Sequence, residues 1–354
     1  MDDSLQQPLL FDNYPELKKR ISYLPLGEFP TPVHQLKNLG LNNLWIKRDD
    51  LTSSIYGGNK IRKLEFILGE VKRKKKKTIV TMGATGTHHG LATAIFARQL
   101  GIDVTLLMFD QPDSDEVRNN LLLLEGQQVK IIRKKTLFKA MLSYLMSHRL
   151  IDPFAYYLYP GGSNTLGTLG YVNAVFELKM QIKSGLIPKP DVILCPLGSN
   201  GTMAGLILGC ALAGLDSRII GVRVTFAKVG IIQACTSHTV MKLAKDTYRL
   251  LKKNYRDLPD VNMQTPTIEG HYLGDGYGCR TKKCINAIEM LKNNENIQLD
   301  STYTAKTFAA VNDFCSHPEN KSKTILYWHT YNSADTSCLT IGKKDLNNIK
   351  KEYQ

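Results

Sequence analysis

No stretch of this chain approaches the roughly 20 consecutive apolar residues that a membrane-spanning helix requires. Its opening residues, Met1-Asp2-Asp3-Ser4-Leu5-Gln6, are acidic and polar, where a secretory leader would be basic and then apolar. Both features lead us to expect a cytoplasmic protein that does not enter a membrane. Cysteine is sparse and irregular: Cys195, Cys210, Cys235, Cys279, Cys284, Cys315 and Cys338 make an odd seven, and no two form a CxxC pair. That pattern argues against a disulfide framework and against a zinc site, leaving scattered reduced thiols. Also missing are the GKS or GKT ending of a nucleotide phosphate loop and the GxGxxG spacing of a dinucleotide fold. Neither a nucleoside triphosphatase nor a dehydrogenase is suggested. There is no internal repeat and no long low-complexity linker.

What remains is a globular chain of 354 residues, 43% hydrophobic, long enough to bury a full core and to form two domains. Its formal net charge is +14, part of it in Lys72-Arg73-Lys74-Lys75-Lys76-Lys77 and part in a tail carrying Lys343, Lys344, Lys350 and Lys351. Six consecutive cations attract nucleic acid in some proteins. Here the run stands between a helical pattern and a strand, with no aromatic interleaving and no nucleic-acid motif, so a solvated connection is the simpler reading. Nucleic acid is not an expected partner. A positive field does favour small anionic ligands.

From about residue 43 short β-rich runs alternate with helical patterns. Strands are expected at 44–47, 78–82, 103–109, 128–132, 191–195, 218–222 and 324–328, and helices from Asn59, near 88–100, from Asp115 and over 167–183. This is the βαβ rhythm of α/β architecture, and two open twisted parallel-sheet domains facing each other across a cleft are the simplest arrangement. Ligands of such sheets bind at the carboxyl ends of the strands.

Three segments carry chemistry, two of them at such strand ends. In Gly57-Gly58-Asn59-Lys60-Ile61-Arg62-Lys63-Leu64-Glu65 two glycines allow a tight turn, and Lys60 then opens an amphipathic helix at the positive end of its dipole. A lysine so placed is held toward neutrality and is a nucleophile for aldehydes. The plain alternative is a solvated lysine at a basic helix start. Strand 191–195 runs into Gly198-Ser199-Asn200-Gly201-Thr202-Met203-Ala204-Gly205-Leu206, whose small residues free backbone amides for a phosphate at a helix start. Alone it is equally a tight strand-to-helix turn. Paired with a reactive lysine, it points to pyridoxal phosphate. The third segment, Gly83-Ala84-Thr85-Gly86-Thr87-His88-His89-Gly90, suits a substrate carboxylate. Adjacent histidines do not share a helix face and no carboxylate stands nearby at ligand spacing, so no metal is expected.

The order of these segments resembles the pyridoxal-phosphate enzymes of the tryptophan-synthase β fold type. Within them it is similar to the group containing 1-aminocyclopropane-1-carboxylate deaminase and D-cysteine desulfhydrase. The resemblance covers nearly the whole chain: Phe29-Pro30-Thr31-Pro32, Lys47-Arg48-Asp49-Asp50-Leu51, the lysine segment, Gly161-Gly162-Ser163-Asn164, Tyr272 to Gly278, Asp300 to Lys306, and Trp328-His329-Thr330. It implies a large cofactor-binding domain of residues 1–63 and 165–354, with a small α/β domain, 64–164, inserted into it, and a homodimer. It implies Lys60 as the Schiff-base lysine, and Gly198, Ser199, Gly201 and Thr202 as phosphate ligands. Tyr277 and Tyr303 match two active-site tyrosines, and Thr304 the residue facing the pyridine nitrogen. Gly86, Thr87 and His89 are expected at the substrate, and His88 at the cofactor's phenolic oxygen. The deaminase pattern has glutamate at position 304 and leucine at 330, whereas Thr304 and Thr330 match the desulfhydrase. The expected activity is therefore β-elimination from a small amino acid. Cyclopropane deamination is the alternative, and a cofactor-binding protein without catalysis a further one. Two departures stand out: Thr87-His88 where the family has Ser-Asn, and Tyr331-Asn332 where the two named enzymes have glycines.

Overall fold

The computed structural model describes residues 7–339 except 42, 151 and 231. The opening six residues and the lysines of the basic tail lie outside them. The helices are α1 (Leu9–Asn13), α2 (Asn59–Arg73), α3 (His88–Gln99), α4 (Asp115–Gly126), α5 (Leu137–Leu150), α6 (Thr165–Lys183), α7 (Gly201–Ala213), α8 (Ser237–Asn254), α9 (Lys282–Glu295) and α10 (Thr304–Ser316). The strands are β1 (Val33–Gln35), β2 (Leu44–Arg48), β3 (Thr78–Ala84), β4 (Asp103–Phe109), β5 (Lys130–Lys134), β6 (Tyr156–Tyr157), β7 (Val192–Leu197), β8 (Arg218–Arg223), β9 (Lys228–Val229), β10 (Ile232–Gln233), β11 (Thr267–Glu269) and β12 (Ile325–His329).

Two main sheets organise them, with β9 and β10 forming a separate antiparallel pair. One runs β1-β2-β12-β7-β8-β11, parallel except for the antiparallel β1–β2 pair. The other runs β5-β4-β3-β6 and is wholly parallel. The two-sheet α/β class expected from the alternation is what the structure shows. β7, Val-Ile-Leu-Cys-Pro-Leu, is buried along its whole length, as a strand covered by helices on both faces must be. β5 starts two residues later than its hydrophobic pattern suggests, because Gln128 takes a positive φ of 56° to leave α4. The basic run is largely exposed. Arg73 and Lys74 pair back to Glu70 at 2.7 and 3.1 Å, and Lys76 donates to the Phe154 carbonyl. All seven cysteines are free thiols. Among the described residues no helix is long and apolar enough to cross a membrane.

A buried polar network lies beneath α2. Arg62 donates to both Asp49 oxygens and to both Glu177 oxygens, and Glu177 also receives Lys47 at 2.5 Å. The Tyr171 hydroxyl and the Trp328 indole close on Asp49 at 2.8 and 2.7 Å. α2 and α6 meet here at backbone distance, since a Cβ on Gly170 would lie 2.0 Å from the Arg62 carbonyl. The helix that carries Lys60 is thus pinned two residues further on by a satisfied set of buried charges.

Candidate active site

A cavity of about 500 Å³ opens where β3 and β7 end and where α2, α3 and α7 begin. Lys60, Thr87, His88, His89, Gly198, Ser199, Thr202, Tyr277 and Tyr303 all line it. Gly86, Gly201 and Thr304 do not.

Lys60 stands in the first turn of α2 after Gly58, whose φ of +93° brings the chain against the Tyr331 carbonyl. A Cβ on Gly58 would come within 2.7 Å of that oxygen, so the turn needs glycine. Burial lowers the Lys60 amine to about 8, against the opposing pull of the Asp300 carboxylate. A measurable fraction is therefore neutral near pH 7.

The loop opening α7 is built on hydroxyls. Ser163 donates to the Ser199 hydroxyl at 2.8 Å and accepts the Gly201 amide at 3.2 Å. Gly201 thus serves as the cup's backing, its amide already spent. A Cβ there would lie 2.7 Å from Ser163 Oγ and 3.1 Å from Lys63 Nζ. Ser199 keeps its own hydrogen for the cavity, and Asn59 donates to Thr202 Oγ1 at 3.3 Å. Behind the cup Lys63 is fully buried, with Nζ on the Gly161 carbonyl and Ser163 Oγ. Burial, and then the neighbouring Lys60, press its pKa well below the ordinary lysine value. An anion in the cup is the counter-charge that would restore it.

At the start of α3 Thr87 accepts the Gly90 amide, which leaves its own hydrogen free for the cavity. Gly86 points away, its carbonyl holding Asn120 Nδ2 and its Cα packed against Val117. His89 differs from expectation too. Thr81 gives its hydrogen to the Leu158 carbonyl, so it is His89 Nε2–H that donates to Thr81 Oγ1 at 2.9 Å. Burial, reinforced by Lys60 and Lys63, holds the ring neutral. Its unpartnered Nδ1 is therefore a bare lone pair, which repels a carboxylate. His88 bridges a hydroxyl and a carboxylate: Nδ1 lies 2.7 Å from the Tyr56 hydroxyl, and Nε2–H donates to Glu116 Oε1 at 2.7 Å.

On the opposite wall the hydroxyls of Tyr277 and Tyr303 share a short hydrogen bond, their rings edge to face at 5.8 Å. Burial pushes Tyr277 up to about 12. Thr304 is withdrawn from the cavity because its hydrogen goes to Asp300 Oδ2 at 2.5 Å and its lone pair takes the Asp300 amide at 2.8 Å. Asp300 lines the wall in its place, capping α10 by accepting the amides of Thr302, Tyr303 and Thr304. The sequence reading missed Asp300, Lys63, Ser163, Tyr56 and Glu116. Only the first three stand inside recognisable segments.

A near-neutral lysine, a cup of free hydroxyls at a helix start, and a buried second lysine amine with no carboxylate partner among the described residues define a site for an anionic carbonyl compound. The comparisons with known proteins say which one. Residues 24–330 match the family described as "Pyridoxal-phosphate dependent enzyme". A protein of Pyrococcus abyssi is 32% identical over 327 residues, covering 89% of this chain and 92% of its own. One of Thermotoga maritima is 30% identical, covering 85% and 93%. Both carry the provisional name 1-aminocyclopropane-1-carboxylate deaminase. The crystal structure of a homologue of that deaminase superposes with a TM-score of 0.76 at 29% identity, covering 93% of this chain and 96% of its own. A threonine deaminase from Solanum lycopersicum, at 14% identity, shares the fold with a TM-score of 0.62. The chain belongs to the pyridoxal-phosphate-dependent enzymes, and its fold is of the tryptophan-synthase β type. Its cofactor is pyridoxal phosphate.

The residues present fit that cofactor: Lys63 lacks an anion, Ser199 has a free hydrogen, and the cavity falls within the size range of ligand sites. Gly201→Asp should weaken cofactor affinity about 100-fold, or ~2.7 kcal/mol, because the new carboxylate would engage Lys63 and Ser163 and face the phosphate. Titrating apoprotein by the cofactor's visible absorbance measures this. Unaltered affinity would place the phosphate elsewhere.

Proposed function

We propose that the protein is a lyase that eliminates the β substituent of a small amino acid, with a thiolate such as that of D-cysteine as the leaving group. The observation that carries this reading is Lys60, the half-buried amine held at about 8 on the cavity floor. Bound pyridoxal phosphate supplies an electron sink for the bond broken at the substrate's Cα. The chain's residues do the rest. Lys60 holds the cofactor, yields it to the substrate amine, and takes the Cα proton. Thr87 Oγ1–H and the first-turn amides of α3 hold the carboxylate. The Tyr277–Tyr303 pair orients the amine and passes a proton to or from it, while Ser199 and Thr202 hold the phosphate. Water then completes the reaction: amino acid plus water gives 2-oxo acid, ammonia and the thiol.

The preference for a thiolate over cyclopropane opening is supported by the residue types at 304 and 330, threonine where a deaminase of this group has glutamate and leucine; Thr330 lines the cavity, while the Thr304 hydroxyl is turned to Asp300. The cyclopropane reaction is the second reading, favoured by the provisional names of the relatives. We also propose the division into 1–63 with 165–354 and an inserted 64–164, which the two sheets support, and a cytosolic homodimer. Assaying 2-oxo acid release over D- and L-amino acids, with the cyclopropane substrate included, tests the reading. Release from cysteine or β-chloroalanine supports it. Release from none, with the cofactor bound, would leave a binding protein without catalysis.

A further inference from the structure

Two of the cavity's polar residues have no part in the steps above. Tyr56 and His88 both line the cavity, and Glu116, from the first turn of α4, stands behind them. The order is Tyr56 hydroxyl, His88 Nδ1, His88 Nε2, Glu116 Oε1, with 2.7 Å at each junction. We propose, on the basis of the elimination reading, that Tyr56 and His88 form the acid that protonates the departing sulfur, and that Glu116 is the positioning residue that keeps this acid loaded.

Charge explains why a carboxylate is needed. His88 sits in the first turn of α3, where the helix dipole disfavours a cation. Burial and the nearby Lys60 also act to remove its proton. The other groups that face it are Glu116, Asp300 from the segment before α10, and Tyr331, whose ring packs edge to face at 5.8 Å. Glu116, with Asp300 adding to it, outweighs the opposing influences and holds the imidazole above its ordinary value. With both ring nitrogens protonated, Nε2–H points to Glu116 and Nδ1–H to the Tyr56 oxygen, which frees the Tyr56 hydrogen. When the Cβ–S bond breaks, its electron pair goes to sulfur. Sulfur takes the Tyr56 proton, the Nδ1 proton refills Tyr56, and neutral His88 regains a proton from water. The Cα proton stays on Lys60. Elimination then has a base and an acid in separate places, so the thiol leaves neutral.

The test compares leaving groups. Thiolate departure is helped by a proton, whereas chloride departs without one. For His88→Gln, the ratio of D-cysteine to β-chloro-D-alanine turnover should fall by roughly 100-fold, the lower range for a general acid. Glu116→Gln should shift the alkaline limb of the D-cysteine rate downward by about one pH unit or more. In that variant the His88 Cε1–H titration, followed by NMR on apoprotein, should move the same way, a readout independent of turnover. An unchanged ratio in folded His88→Gln, or an unmoved limb and titration in Glu116→Gln, overturns the proposal and leaves a structural tie between α3 and α4. Should the unmodified holoenzyme release 2-oxo acid from neither substrate, the elimination reading fails and takes this relay with it.

Discussion

Lys60→Ala should lower turnover on the order of 10⁵-fold while leaving the protein folded. Lys60 is the cavity lysine whose amine is brought to about 8 by burial. On the proposed mechanism its removal takes away both the covalent anchor and the base, and neither loss would be compensated by Lys63. That second lysine points away from the cavity, to the Gly161 carbonyl and Ser163. Borohydride reduction of holoprotein followed by peptide mapping should find the label on Lys60 and none in the variant. Lys63→Ala should keep the label and lose cofactor affinity instead, because Lys63 backs the phosphate cup. A label retained in Lys60→Ala and lost in Lys63→Ala would reverse the assignment.

Glu177→Ala should destabilise the fold by about 3 to 5 kcal/mol, measured as a lower urea midpoint. Glu177 is 2% exposed and takes Lys47 at 2.5 Å and Arg62 at 2.9 Å. Burial raises its carboxyl, but the two cations outweigh burial and bring it to about 2. Lys47 is itself depressed, first by burial, so the assembled pair is costly to bury and its worth shows only when one partner is removed. The sign with pH follows. A carboxylate depressed in the folded state contributes fully above its unfolded value and loses that contribution as pH falls through its folded one. The difference between wild type and Glu177→Ala should therefore hold at neutral pH and shrink from about pH 4.5 toward 2. A variant as stable as wild type at neutral pH would show that the network does not pin α2.

Much of the scaffold could be read from periodicity. β4 runs over the expected 103–109, α2 starts at Asn59, and the buried parallel strands are near-continuous apolar runs. Lys60 was legible because a double glycine before a helical lysine occurs in the same chain as a small-residue loop at the start of another helix. The partners that decide charge were not. Glu116 stands 28 residues from His88 and meets it only because α3 and α4 pack side by side. The tautomer of His89 depends on Leu158, whose carbonyl takes the Thr81 hydrogen from a strand edge far along the chain. Thr304 looked like a cavity residue in a linear motif. Yet Asp300, four residues earlier, caps the same helix and draws that hydroxyl inward. Linear motifs name residues; which hydrogen each donates depends on neighbours the motif does not contain.

The central claim is β-elimination, and one comparison of products tests it most directly. Purified protein saturated with pyridoxal phosphate is given D-cysteine in one reaction and 1-aminocyclopropane-1-carboxylate in another, and the 2-oxo acids are identified by mass. Pyruvate with an equal amount of sulfide from D-cysteine, and little or no 2-oxobutyrate from the cyclopropane, is the predicted result. Efficient 2-oxobutyrate release with no pyruvate would contradict it and make the protein a cyclopropane deaminase.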